Sequence, residues 1–330
     1  MAWPPLARPL GETLDVAGVG EAMLLLQATP PETVADASSM LVDVAGAELN
    51  MSAAVARLGG TAALLTRLGA DSPGTRIRHA MSSLGIDTAM VTADDSRPTG
   101  LFLRETPPDG SRRVTYYRAG SAASAMDRSD AERLWTTPPR AVVLSGLTAA
   151  LGTGPRELVT AIAEAAADHG TSVVVDVNLR QGFGDLDAVV AALGRVLPRT
   201  DLLVLGDDES EPVLGVTEPE AVFAAAREHG IGEVVLKGGP RGCWFQDDDG
   251  TPRHLPTRAV EVVDPVGAGD AFLGGYLAAR LAGAPTGAAA ELGSELAAGV
   301  IGAFGDTAGL PDPPAARAAL AAAVQRGMRA

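Results

Sequence analysis

The sequence predicts an α/β fold: a mainly parallel sheet covered by helices on both faces, with a small β-strand lid outside it. Three observations lead there. Short apolar runs alternate with helical periodicity along almost all of the 330 residues, the pattern of strands buried on both faces and joined by crossover helices. The helical stretches carry proline at their starts and glycine just past their ends. Two stretches break this rhythm with period-two alternation, which belongs to half-exposed antiparallel strands.

In chain order, residues 14–19 form the first expected strand. Residues 33–44 alternate and are assigned to the lid. Residues 48–58 read as a helix stopped by Gly59 and Gly60, followed by a strand at 62–67 and a helix at 73–84 that ends at Gly85. Residues 99–118 alternate again around a Pro107–Pro108–Asp109–Gly110 turn and complete the lid. Such a flap either excludes water from a site at the sheet edge or is a surface hairpin. Strands follow at 141–145, 172–177, 202–205 and 233–236, with a helix at 155–169 ending at Gly170. The last third is helical, at 268–281, 286–304 and 314–326. No repeat or linker divides the chain, so residues 1–330 read as one core domain plus a lid.

Composition narrows the function. The net charge of −15, from Lys+Arg 26 against Asp+Glu 41, repels phosphate backbones and anionic membranes, and excludes nucleic acid as an expected partner. With 46% hydrophobic residues there is material for a large core. A single cysteine, Cys243, forms no intramolecular disulfide, and four histidines lack ligand spacing. Cys243 lies in a strand-like run and reads as a buried small residue. Residues 1–10 contain three prolines and no apolar run of signal-peptide length, and no stretch qualifies as a membrane span. The expected compartment is the cytoplasm.

The strongest local signal is VVDPVGAGDAFLGGYLAARL, residues 262–281. Gly267, Ala268 and Gly269 form a small-residue turn that runs directly into helical periodicity. Consecutive amides exposed at a helix start bind anions. Asp270 stands in the first turn of that helix, where it serves either as a capping carboxylate or as a base beside a bound phosphate. Phosphoryl transfer needs little more than placement, charge neutralisation and such a base. The turn is neither a P-loop nor a dinucleotide GxGxxG.

This stretch resembles the C-terminal signature of the ribokinase-like (PfkB) carbohydrate kinases. AGAELNMSAAVARLGG, residues 45–60, resembles that family's N-terminal signature, and the two occur in the expected order. The resemblance implies ATP and Mg²⁺ as cofactors, Asp270 as catalytic base, and Gly267, Ala268 and Gly269 as the anion hole for the transferred phosphate. Gly46 through its backbone and Asn50 through its amide would touch substrate hydroxyls.

The lid sequence, residues 97–124, is similar to that of 2-keto-3-deoxygluconate kinases, with Tyr116 and Arg118 in a Tyr-x-Arg strand. VVVDVNLR, residues 173–180, supplies Arg180 by the same match. Two arginines on one substrate suit a carboxylate, which guanidinium binds in bidentate fashion; alternatively, both pair with nearby acids. Asp306 matches an acidic residue that reaches the substrate, or caps the last helical region. Lys237, the only lysine in the chain, ends a strand bordering the expected nucleotide, with Gly239 just beyond. It reads as a phosphate contact or as a solvated strand end. An adenine pocket is expected between this region and Ala298–Gly299.

Three positions depart from the family pattern. Ala45 replaces a glycine, Phe102 stands where sugar-acid kinases often have tyrosine, and Gly206 replaces the asparagine of an Asn-x-x-Glu motif whose acid, Glu209, is kept. Glu209 would meet magnesium through water. The expected function is ATP-dependent phosphorylation of the terminal hydroxyl of 2-keto-3-deoxygluconate or a close sugar acid, by a lid-paired homodimer. The alternatives are a kinase of the same family for fructose, ribose or a nucleoside, and a catalytically silent sugar-binding protein.

Overall fold

A computed structural model describes residues 8–29, 31–109, 111–180, 184–259 and 262–327. Gly110 of the expected lid turn lies outside these residues. Strands Val16–Val19, Ala62–Gly69, Ala141–Ser145, Ser172–Asp176, Leu202–Gly206 and Glu233–Lys237 pair in parallel. These are the six runs expected from sequence. Alternate residues of each strand enter opposite cores. Val16, Val143, Val174 and Val204 pack with Leu49, Phe272 and Tyr276, while Ala17, Val142, Val175 and Leu203 pack with Ile162, Val189 and Phe223. The result is a three-layer α/β/α core, as expected.

One edge departs from parallel pairing. Cys243–Gln246 turns back antiparallel on Glu233–Lys237, with Cys243 opposite Lys237, and Pro252–Leu255 extends the hairpin. Cys243 is buried. Helices Leu186–Val196 and Pro219–Glu228 fill crossovers for which no boundaries were assigned from sequence. No helix among the described residues is long and apolar enough to cross a membrane.

The lid is a separate sheet of four strands, in the order Met40–Ala45, Met23–Ala28, Leu101–Glu105, Arg113–Tyr117. It differs from the sequence reading in two ways. Residues 33–39 form turns rather than strand, because the Thr33 hydroxyl donates to Asp36 and the Thr33 carbonyl accepts from Ala37 N. A strand not read from sequence, Met23–Ala28, lies in the lid's interior and pairs in parallel with Leu101–Glu105. Met23, Leu25, Ala45 and Phe102 make a small apolar core beneath it.

Candidate active site

The carboxyl ends of the parallel strands converge below the lid, where open α/β sheets bind their ligands. Between them lies a cavity of about 620 Å³, lined by Gly46, Asn50, Phe102, Tyr116, Arg118, Arg180, Lys237, Gly267, Gly269, Asp270 and Asp306 among others. Residues singled out over more than half the chain therefore meet in one space. Gly46 precedes the helix Ala47–Arg57, and a Cβ there would come within 2.5 Å of the Glu21 carbonyl. Only glycine lets these two segments approach so closely.

Gly267 has φ +80° and caps the helix Ala268–Leu281, so the chain turns in the left-handed region immediately before the helix begins. The first amides of this helix have no intrahelical acceptor and border the cavity. A Cβ on Gly267 would lie 2.5 Å from the Asp306 carbonyl oxygen, so the 305–306 loop packs directly on the turn.

Asp270, in the first turn, accepts a 2.9 Å hydrogen bond from Asn50 Nδ2. Desolvation pushes its carboxyl up to about 7; the Asn50 bond and Lys237 oppose the rise, and Asp176 and Asp306 add to it. A carboxyl with that affinity holds and releases a proton near neutral pH, as a general base must. Asn50 thus spends one amide proton on Asp270 rather than standing only against substrate. The same nitrogen lies 3.4 Å from Asp306 Oδ2.

Lys237 donates to Asp176 Oδ1 at 2.8 Å. Burial alone would lower its pKa, yet the Asp176, Glu209 and Asp270 carboxylates hold it above the ordinary lysine value. Its ammonium lies beside the turn, since a methyl on Gly269 would sit 3.5 Å from Nζ. On the far side of the turn is a second cavity of about 540 Å³, lined by Gly239, Pro240, Cys243, Ala268, Phe272, Ala297, Ala298 and Ile301. It is apolar where the first is polar, and lies where the adenine pocket was expected.

Glu209 accepts from Gly206 N at 2.6 Å and from Leu179 N at 2.8 Å. Its carboxylate is buried, which raises its pKa. No cluster of three or more metal-ligating side chains exists among the described residues. That suits Mg²⁺, which keeps several waters and takes few direct protein ligands when phosphates supply the rest. With both oxygens committed to backbone amides, Glu209 fits contact through water.

The arginines divide. Arg118, 7% exposed, puts its Nε 2.6 Å from Glu21 Oε2 and lies over the Tyr116 ring. Ser121 donates to the other Glu21 oxygen. Arg118 therefore has an acidic partner that sequence left as an alternative. Arg180 is exposed at the cavity rim and forms no ion pair among the described residues. Asp306 is no helix cap: its Oδ1 is 2.9 Å from Arg104 Nη1.

Several lining residues had no place in the sequence reading: Glu21, Glu48, Arg104, Arg112 and Asn178. Glu48 is enclosed beneath the cavity and accepts from Ser145 Oγ; burial raises its pKa. Asn178 has φ +39°, an unusual conformation for a non-glycine residue that aims the chain after Asp176 into the site. Two signals were available. Glu21 follows the first strand at its carboxyl end, and Arg104 lies two residues after Phe102, on the same face of a lid strand.

A buried carboxyl with its pKa raised to about 7, beside a glycine turn at a helix start and open on one side to a polar cavity, is the arrangement a phosphotransferase for a small hydroxyl compound needs. Comparison with known proteins agrees and narrows it. Residues 13–313 match the family described as pfkB family carbohydrate kinase. The chain is 31% identical over 309 residues, 92% of its length and 94% of the relative's, to a 2-dehydro-3-deoxygluconokinase from Thermoproteus tenax. It is 28% identical to a 2-dehydro-3-deoxygalactonokinase from Haloferax volcanii, over 87% of this chain and 90% of that one. The crystal structure of a PfkB protein from Polaromonas sp. JS666 superposes with a TM-score of 0.81 at 30% identity, over 92% of this chain and 99% of that one. The chain belongs to the pfkB family of carbohydrate kinases, and its fold is ribokinase-like.

Proposed function

We propose that this kinase transfers the γ-phosphoryl of ATP to the terminal hydroxyl of a 2-keto-3-deoxy sugar acid, with 2-keto-3-deoxygluconate the foremost candidate. The observation that carries the substrate reading is the presence of Arg118 and Arg180 in one polar cavity with Asp270. The names of the two relatives support it.

Asp270 takes the proton of the attacking hydroxyl, and Asn50 orients the carboxylate that receives it. The hydroxyl oxygen bonds to the γ-phosphorus as the bond to the ADP oxygen breaks. The amides of the 267–270 turn face the charge that develops on the transferring group, and Lys237 adds a positive charge beside them. Gly239 and the apolar wall around Ala298 hold the adenine. Glu209 would meet a nucleotide-bound magnesium ion through water, and such an ion would supply positive charge against the phosphates. Gly46 and Asp306 contact sugar hydroxyls, Phe102 and Tyr116 cover the sugar, and Arg118 and Arg180 hold its carboxylate.

The Glu21–Arg118 pair favours one second reading, a neutral sugar, because that guanidinium already has an acidic partner. A coupled ATP-consumption assay on 2-keto-3-deoxygluconate, its galacto epimer, fructose and ribose separates the two. Turnover of a sugar acid is expected to exceed that of fructose and ribose. Arg118→Ala should lower kcat/KM for the acid by about 100-fold, the usual scale for truncating one partner of a buried charge pair. Good turnover of fructose or ribose alone, unchanged by the substitution, would overturn the acid and leave the kinase standing.

Met40–Ala45 and Arg113–Tyr117 are the edge strands of the lid, and Leu41, Val42, Val114 and Tyr117 are exposed there. Unpaired edges with apolar side chains favour pairing, so the functional unit is a homodimer joined through its lids. Sedimentation should give twice the 33.5 kDa chain mass. A monomer at micromolar concentration contradicts the dimer.

A further inference from the structure

We infer that Arg104 is a positioning residue for phosphoryl transfer, a lid side chain that clamps both flanks of the anion-binding turn; the inference rests on the phosphoryl-transfer reading of that turn. Arg104 lies on the lid strand Leu101–Glu105 and is 3% exposed. Its Nη1 is 3.3 Å from Asp264 Oδ2 and 2.9 Å from Asp306 Oδ1. Both carboxylates are as deeply buried as the guanidinium between them.

The two acids are not equivalent supports. Asp264 begins the segment that leads into the turn, and its Oδ1 accepts from Val266 N at 3.2 Å. Asp306 comes from the other side. Its backbone carbonyl packs so closely on Gly267 that an added Cβ would lie 2.5 Å from the carbonyl oxygen. Its Oδ2 lies 3.4 Å from the Asn50 amide that also holds Asp270 at 2.9 Å. One guanidinium thus fixes the entrance of the turn, the loop against which the turn rests, and, through Asn50, the acid at its end.

Although Arg104 lines the sugar cavity, its charge is engaged by two buried carboxylates, so it is not a further ligand for a substrate carboxylate. Arg112 gives partial support at Asp264, 3.5 Å away, but is 36% exposed and does not reach Asp306 among the described contacts. Without Arg104, two buried acids would face each other with little compensation. They would separate or one would take up a proton. Either response displaces the loop on which Gly267 sits.

Small misplacements of a reacting centre by a residue remote from the chemistry are worth about 100-fold in rate. Arg104→Ala is therefore expected to lower kcat about 100-fold, measured per folded molecule by circular dichroism. Arg104→Lys, which keeps the charge and loses the fork, should recover part of that loss. Low-millimolar guanidinium should restore activity to Arg104→Ala, since the vacated position opens onto the cavity, and should do nothing for wild type or for equal sodium chloride. A folded Arg104→Ala with kcat within about threefold of wild type overturns the inference. So does a loss that follows only the folded fraction and that neither lysine nor guanidinium repairs. Should Arg104→Ala not fold, a fully active Arg104→Lys counts against the clamp, and a folded but slow one supports it. Wild type is assayed alongside on whichever sugar it phosphorylates. A wrong substrate then shows as a wild type inert toward sugar acids, and a wrong role for Arg104 as an active variant.

Discussion

Asp270→Asn should lower kcat by about 1,000- to 10,000-fold, the upper part of the range for loss of a general base. Asparagine keeps the shape and a contact to Asn50 but cannot accept the hydroxyl proton. Sugar KM should change little, because the hydroxyl still meets a polar group of the same size. In wild type the carboxyl must be ionised to act, and it titrates near 7 in the free enzyme. Log kcat/KM should therefore rise with pH below about 7 and level off above it, and this limb should be absent from the residual activity of the variant.

The same shift has a sign for stability. A carboxyl whose affinity for protons is higher folded than unfolded binds more protons in the native state between the two pKa values. Stability then falls as pH rises from the ordinary aspartate value, 3.8, to about 7. At pH 8 the substitution removes an ionised, desolvated acid, so Asp270→Asn should melt higher than wild type while losing activity. A variant that kept more than a tenth of wild-type kcat would refute the base assignment.

Gly267→Ala is the second large effect. Its φ of +80° disfavours any Cβ, and the added methyl would approach the Asp306 carbonyl to 2.5 Å, a backbone atom that cannot swing aside. The turn must open, which takes its amides away from the transferring group. A loss of about 100- to 1,000-fold in kcat is expected, the scale for removing an oxyanion donor. Gly230→Ala is the control. It has the same left-handed backbone, φ +81°, with nothing within 4 Å of the new methyl. It carries only the conformational penalty of about 1–2 kcal/mol, so its Tm should fall while kcat holds. Equal kcat in the two variants would show that the turn does not act through its amides.

The core strands and the glycine turn were readable because their signals are local. A strand buried on both faces is continuously apolar, and a helix start that holds an anion shows its small residues in one short run. Met23–Ala28 was hidden for the opposite reason. It follows Val16–Val19 after only Gly20–Ala22, and its apolar run reads as more of the same strand. The chain changes sheets there, and Glu21 between the two strands is held by Arg118 and by Ser121, 100 residues away. Arg104 and Asp264 are 160 residues apart, and no spacing within either segment announces the other. Arg118 shows the complementary difficulty. Its type and position suit a carboxylate ligand, while its partner Glu21 emerges only when the lid is folded over the sheet.

Lys237, Pro265 and Gly269 face both cavities, so the partition between the two chambers is a few atoms thick. On one side the wall is backbone, alanine and phenylalanine; on the other, long charged side chains reach in from a separate sheet. Beyond Lys237 and the shared turn, to which Arg104 ties the lid, the two chambers take their side chains from separate parts of the chain. A lid substitution that leaves Arg104 in place would reshape the polar chamber and spare the apolar one, because no lid-strand residue lines the apolar chamber among the described residues. The architecture behaves as a fixed engine with an exchangeable chuck, bolted to the engine at Arg104.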